Sequence, residues 1–148
     1  MKSDNPVRHF ALAFLIAMIV YFVAFNAIEH RRNRKGPWQV AFTNSPAGEP
    51  SILIHQPALL LTNVVIVFTG KLERITNNSS ELEFSRPRPV PYAVPFGKCL
   101  FMDTTFLPGT LTFRLLGHEI ELLPRVLIID HREYPWQSNT NIQLLAFD

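Results

Sequence analysis

The sequence predicts an antiparallel β-sandwich, immunoglobulin-like or jelly-roll-like with seven to nine strands, preceded by one N-terminal transmembrane helix. Three observations carry this expectation. Residues 10–28 are an apolar run without a single charged side chain. Beyond that run, apolar and polar residues alternate with period two in short stretches separated by Pro, Gly, Asn and Ser. The 148 residues contain 12 prolines against 6 glycines, and beyond the first run no apolar 3.6-residue period exceeds two turns, which argues against a helical bundle. A small barrel is the other closure open to the same strands.

Residues 1–9 read as a short tail carrying Lys2 and Arg8. Residues 10–28, FALAFLIAMIVYFVAFNAI, make a helix of roughly 28 Å at ~1.5 Å per residue, close to the ~30 Å hydrocarbon core of a bilayer. The segment has no polar stripe, so it does not suit an interfacial helix. A secretory signal has an apolar region of about 7–15 residues followed by a small-x-small cut site. This run is longer, and a cut after Ala27 would put the bulky Phe25 at the −3 position. The segment therefore reads as an uncleaved single-pass anchor. Ala13 and Ala17 form a small-xxx-small pair, with Ala24 further along, that permits close packing against another membrane helix.

Residues 29–36 read as a basic juxtamembrane linker containing Arg31, Arg32, Arg34 and Lys35. Against the two positive charges of the tail, these four place the C-terminal side in the cytoplasm by the positive-inside rule. The opposite orientation, with the domain periplasmic or extracellular, is the alternative. The same four residues attract anionic headgroups at ~1 kcal/mol each. Charge is divided by segment. Residues 1–35 hold six Lys/Arg and two acidic residues, whereas residues 36–148 hold eight Lys/Arg and ten Asp/Glu. The net +2 of the whole chain thus conceals a mildly acidic domain, which argues against a nucleic-acid partner.

Residues 37–148 are enough for one self-sufficient core. Trp38, Val40 and Phe42 alternate with Gln39, Ala41 and Thr43 as a first strand, and the run 44–48 is a turn. Residues 51–55 follow as a second strand. The apolar run 59–68 reads as a central strand kinked near Asn63. Residues 70–80 are a polar loop containing overlapping glycosylation triplets at Asn77 and Asn78, which matter only in an exported eukaryotic chain. Leu82 and Phe84 face one way, Glu81, Glu83 and Ser85 the other. Residues 86–95 are proline-rich and extended. Residues 98–106 form another strand, closed by a Pro108-Gly109 turn. Residues 111–115 and 120–122 form a hairpin about Gly117-His118, glycine being the first central residue. Pro124 interrupts the second of these strands, 126–129 resumes it, and 142–147 is the last.

The chemistry-bearing residues are few. The single Cys99 excludes an internal disulfide and any multi-cysteine metal site. Its neighbours Phe96, Leu100, Phe101 and Met102 mark it as a packed core cysteine with an inert thiol. No nucleophile elbow, phosphate loop, dinucleotide fingerprint or zinc-protease motif occurs. His118, His131 and Glu133 would form a three-ligand zinc set only if their strands met. Nothing in their spacing requires that, and the run 130–133 reads as solvated charge with Asp130 paired to Arg132. No catalytic residue, metal or cofactor is expected.

The stretch 86–95 stands out because its alternating prolines hold the backbone near polyproline II and deny it ladder hydrogen bonds. Arg86, Arg88, Pro89, Pro91 and Tyr92 thereby become candidates for docking an aromatic-lined partner groove. A rigid crossover that blunts an edge strand is the plainer reading of the same residues. Trp136, in the loop-like Tyr-Pro-Trp-Gln-Ser-Asn run, is a further candidate contact. The expected function is a non-enzymatic accessory, scaffolding or assembly subunit of a larger membrane complex, with other subunits of that complex and the bilayer as partners. The alternative is a membrane-tethered carbohydrate or small-ligand module built on Trp136 and Tyr134.

Overall fold

The computed structural model describes residues 5–33, 35–71 and 80–147. The glycosylation triplets at Asn77 and Asn78, and Arg34, lie outside the described residues. The chain divides into two compact units, Met1–Arg34 and Lys35–Asp148.

The first unit is the helix α1 (Pro6–Asn33). Asn5 caps it, accepting the Val7 N–H on Oδ1 at 3.2 Å, and Pro6 occupies the first helical position, where the missing donor costs nothing. The last turn carries His30, Arg31 and Arg32, the charge sign that suits a helix C-terminus. Its 28 residues span about 42 Å. Large apolar side chains lie exposed along it from Val7 to Ile28. The helix is long and apolar enough to cross a membrane.

The second unit is a β-sandwich. Its elements are β1 (Gln39–Asn44), β2 (Pro50–Gln56), a 3-10 turn (Pro57–Leu59), β3 (Leu61–Thr69), β4 (Ser80–Glu83), β5 (Tyr92–Val94), β6 (Gly97–Asp103), β7 (Thr110–Leu115), β8 (His118–Leu122), β9 (Val126–Ile129), β10 (Arg132–Pro135) and β11 (Asn141–Leu145). Sheet 1 runs β11-β3-β2-β1-β4 and sheet 2 runs β10-β9-β8-β7-β6-β5. The two strands beyond those read from the sequence are β5 and β10. They are short edge strands, and proline in or beside them hides their pattern.

The period-two alternation is realised as burial. Val40, Phe42, Ile52, Ile54, Ile66 and Phe68 of sheet 1 face Leu111, Phe113, Leu115, Ile120 and Leu122 of sheet 2, all fully buried. Phe113 takes the edge of Phe42 at 6.3 Å and of Phe84 at 5.4 Å between ring centroids, the favoured aromatic geometry. Each side chain buried this completely contributes about 1.5–3 kcal/mol relative to exposure. The kink near Asn63 is real. Asn63 has φ 55°, and the β2–β3 register shifts between Ile54 and Gln56, the mark of a bulge.

Three local readings are corrected. The β7–β8 turn is Leu116-Gly117, with φ 47° and 89°, and His118 already pairs with Leu115 in the ladder. Two positive-φ residues are what a two-residue hairpin turn with the right twist requires. The run around Pro124 is not one interrupted strand. β8 and β9 are antiparallel neighbours, Leu122 opposite Leu127, joined through residues 123–125. Finally, β11 pairs with β3 in parallel, Ile142 opposite Ile66. This is possible because residues 136–140 carry the chain from one sheet to the other.

The strand directions give the sandwich two distinct ends. At the end where the chain joins it, near Trp38, lie the connections 57–60, 84–91, 104–109, 123–125 and 136–140. At the Gly117 end lie 45–49, 95–96, 116–117 and 130–131. The Trp38 indole N–H donates to the Gly109 carbonyl at 3.0 Å, and Trp38 packs on Trp136 at 5.2 Å, which ties the two sheets at their Trp38 end.

Candidate functional site

The proline-rich stretch is the crossover from the edge of sheet 1 (β4) to the edge of sheet 2 (β5). It leaves sheet 1 at the Trp38 end, where the Phe84 N–H donates to the Trp38 carbonyl at 3.1 Å. Residues 86–91 are exposed throughout. The Arg88 guanidinium sits 4.7 Å from the centroid of the Tyr92 ring, a cation–π contact. Arg86, Arg88 and Tyr92 line one open groove of about 240 Å³ floored by Leu82, Phe84 and Met102. Pro89 and Pro91 stand on the same strip. The segment is the rigid crossover between the two sheet edges, and a groove lined by Arg86, Arg88 and Tyr92 lies beside it.

Tyr92 lies opposite Cys99 in the ladder. Burial, reinforced by Cys99, pushes the Tyr92 phenol up to about 12 against the pull of Arg88. Burial likewise pushes the Cys99 thiol up, and its Sγ lies 3.4 Å from the Phe101 carbonyl. A buried thiol with a raised pKa is a poor nucleophile. The groove is lined by two guanidinium groups, a tyrosine ring and an apolar floor.

Trp136 does not join this groove. It follows β10, on the opposite edge of sheet 2 from β5. Its indole N–H donates to the Leu123 carbonyl at 2.7 Å, and it and Tyr134 are half-buried against the core. The ring is used in packing and does not form a free stacking platform.

His118, His131 and Glu133 do not converge on one site: His131 groups with Glu119 and Glu121, and His118 turns inward. His118 is 5 % exposed. Its Nδ1 lies 2.6 Å from Asp130 Oδ2 and its Nε2 lies 2.7 Å from the Leu145 carbonyl oxygen. Asp130 therefore pairs with His118, not with Arg132. An imidazole held by a carboxylate resembles half of a catalytic relay. Here the second nitrogen is closed on a backbone carbonyl, so it cannot serve a nucleophile. His131 instead meets Glu119 and Glu121, with one ligand atom of each within 4.8 Å of the others. Those three could offer oxygen and nitrogen ligands to a divalent cation, although Glu119 also reaches Arg114 at 3.5 Å.

On α1, Ala13, Ala17 and Ala24 are spaced by four and seven residues and share one exposed face. Arg31 is exposed on the last turn, and Arg32 reaches Glu29 at 3.4 Å. A second open groove, about 380 Å³, lies on the outward face of sheet 1 between Gln39, Thr43, Leu53, His55 and Glu81.

Sequence reasoning missed three positions. The hairpin signal puts His118 in the turn, one residue from the strand that turns it inward. The apolar runs 59–68 and 98–106 put Leu60 and Phe106 inside strands, whereas β3 begins at Leu61 and β6 ends at Asp103. Pro57 and Pro108 were the available signals that both strands stop short of these residues. The chain matches no known protein family, and no curated protein or solved structure resembles it.

Proposed function

We propose that this is a single-pass membrane protein whose β-sandwich serves, without catalysis, as an accessory, scaffolding or assembly subunit of a larger membrane complex. The observation that carries the reading is the exposed crossover 86–91 with Arg88 stacked on Tyr92 above an apolar groove. Prolines pre-order this strip, so binding costs little conformational entropy. Arginine and tyrosine are the residue types that anchor protein interfaces. The small-residue face of α1 at Ala13, Ala17 and Ala24 supplies a second contact within the bilayer. The larger positive charge after the helix favours a cytoplasmic domain.

The test is site-specific photo-crosslinking from position 89 in the full-length protein, in native membranes, with mild-detergent recovery and mass spectrometry. A stoichiometric membrane partner that is lost in the Arg86→Glu/Arg88→Glu variant is expected. Recovery of the protein alone, or of a partner indifferent to that variant, overturns the reading.

A further inference from the structure

We propose that the Trp38 end of the sandwich is a membrane-interface surface, with Leu60 and Phe106 entering the headgroup–acyl boundary and Arg86, Arg88 and Arg125 meeting anionic phosphates. The proposal rests on α1 as a membrane span; it shares Arg86 and Arg88 with the accessory-subunit reading but is tested in vesicles that contain no partner protein.

The first support is covalent. Gln56 is 1 % exposed. Its Nε2 donates to the carbonyls of Gly36 at 3.0 Å and Pro37 at 2.9 Å, and its Oε1 accepts the Ala58 N–H at 3.1 Å. One buried side chain thus fixes both the point where the chain joins the sandwich and the turn that carries Leu60. Only residues 34 and 35 intervene between α1 and Gly36, a reach of about 10 Å at most. Counted from the apolar span 10–28, the linker 29–36 reaches about 28 Å at most, and it enters the sandwich at this end.

The second support is local strain combined with exposure. Leu60 has φ 57° and ψ 30°, the left-handed region that glycine or asparagine occupies more cheaply. It is nevertheless 84 % exposed. Its conformation is held by the Leu60 N–H donating to the Pro57 carbonyl at 2.9 Å and by the Ser138 hydroxyl donating to the Leu60 carbonyl at 2.9 Å. A large apolar side chain presented to water from a strained, well-anchored turn points to a function rather than to the fold. Phe106, 59 % exposed, is presented at the same end by the connection 104–109, whose neighbours Leu107 and Pro108 are buried.

The third support is charge. The connections at this end carry exposed Arg86, Arg88 and Arg125 against Glu83 and Asp103, and Asp103 is engaged by the Thr105 N–H at 3.0 Å. Exposed apolar tips ringed by arginines match the headgroup region of an anionic bilayer. Of the other exposed large apolar side chains, Phe101 lies on the outward face of sheet 2. Leu145 and Phe147 lie at the opposite end, where the Phe147 ring rests 5.1 Å from His118.

The experiment places an environment-sensitive fluorophore on single cysteines at Phe14, Leu60, Phe106 and Ala47 in the full-length protein, reconstituted into phosphatidylcholine–phosphatidylserine vesicles. Buried Cys99 stays in place. Nitroxide-labelled lipids serve as the quencher. The expected result is a blue shift and loss of intensity at Phe14, Leu60 and Phe106, with neither at the exposed far-end position Ala47. Loss of quenching at position 106 in Arg86→Glu/Arg88→Glu/Arg125→Glu, with Phe14 still quenched, supports the arginine contacts. Quenching at Phe14 but not at Leu60 and Phe106 overturns this proposal alone. No quenching at Phe14 overturns the membrane span as well. Labels at positions 60 and 106 that respond equally in vesicles lacking phosphatidylserine overturn the anionic-phosphate contact.

Discussion

His118 and Asp130 form a side-chain pair, Nδ1 to Oδ2 at 2.6 Å, that joins the β7–β8 hairpin of sheet 2 to its β9–β10 hairpin and, through the Leu145 carbonyl, to sheet 1. Asp130 does more than pair. Its Oδ1 accepts the Glu119 N–H at 2.9 Å, and its own N–H donates to the Glu119 carbonyl at 2.9 Å. His118 is the buried partner and Asp130 the wetter one, so losing the aspartate leaves a buried ring nitrogen unsatisfied. Asp130→Ala is expected to cost about 1–3 kcal/mol. Denaturant unfolding of the full-length protein in detergent measures it, and a loss near zero would show that the ring finds water instead.

The same pair sets a pH dependence. Burial pushes the Asp130 carboxyl up, but the hydrogen bonds from His118 and the Glu119 N–H, with the charges of His118 and His131, outweigh it and hold the group below its usual value of 3.8. A group depressed in the folded state contributes its stability above the unfolded value and loses it as pH falls through the folded one. The stability gap between wild type and Asp130→Asn is therefore expected to be full above about pH 4 and to close in stronger acid. A gap that widens on acidification would contradict the assignment.

Gly117 is held at φ 89°, and a Cβ there would lie 2.6 Å from Phe147 Cβ. Gly117→Ala is expected to destabilise by at least about 1 kcal/mol through its backbone alone, with the clash added. Pairing it with Phe147→Gly removes the Cβ it meets and leaves the backbone cost, so the double-mutant cycle is expected to be non-additive. Additive effects would place the whole cost in the turn.

Leu60→Asn relaxes the left-handed residue. The expected gain is about 1 kcal/mol in unfolding free energy, accompanied by weaker lipid quenching at a Phe106→Cys label. A stabilised variant with unchanged quenching would separate the strain from the membrane contact.

Cys99 is fully buried and its thiol is pushed up by burial. Thiol reagents at neutral pH are expected to leave it unmodified in the native protein and to react on unfolding. Rapid native labelling would mean that the β5 edge opens.

The layered architecture was legible because it rests on alternation, and alternation survives wherever a strand has one buried face. Trp38 through Thr43 and Leu111 through Leu115 show it without ambiguity. What was hidden depends on single-residue register. Moving the turn from Gly117-His118 to Leu116-Gly117 carries His118 from solvent to the core, because side chains on a strand change face at every step. The parallel pairing of β11 was not readable either, since Ile142 and Leu144 alternate in the same way whichever direction the neighbour runs. The groove at Arg88 and Tyr92 was half legible. Proline spacing marked the strip, whereas the stacking of Arg88 on Tyr92 depends on how the crossover folds back toward β5.

The parallel pairing of β11 with β3 also bears on biosynthesis. Strand β3 contributes Val64, Ile66 and Phe68 to the core, yet one of its two hydrogen-bonding edges stays open until Asn141–Leu145 has been made. A nascent or C-terminally shortened chain would display that edge, flanked by Val65 and Val67, as a template for another strand. Sheet 1 is thus completed only by the five residues Asn141–Leu145, after every strand of sheet 2 has been made.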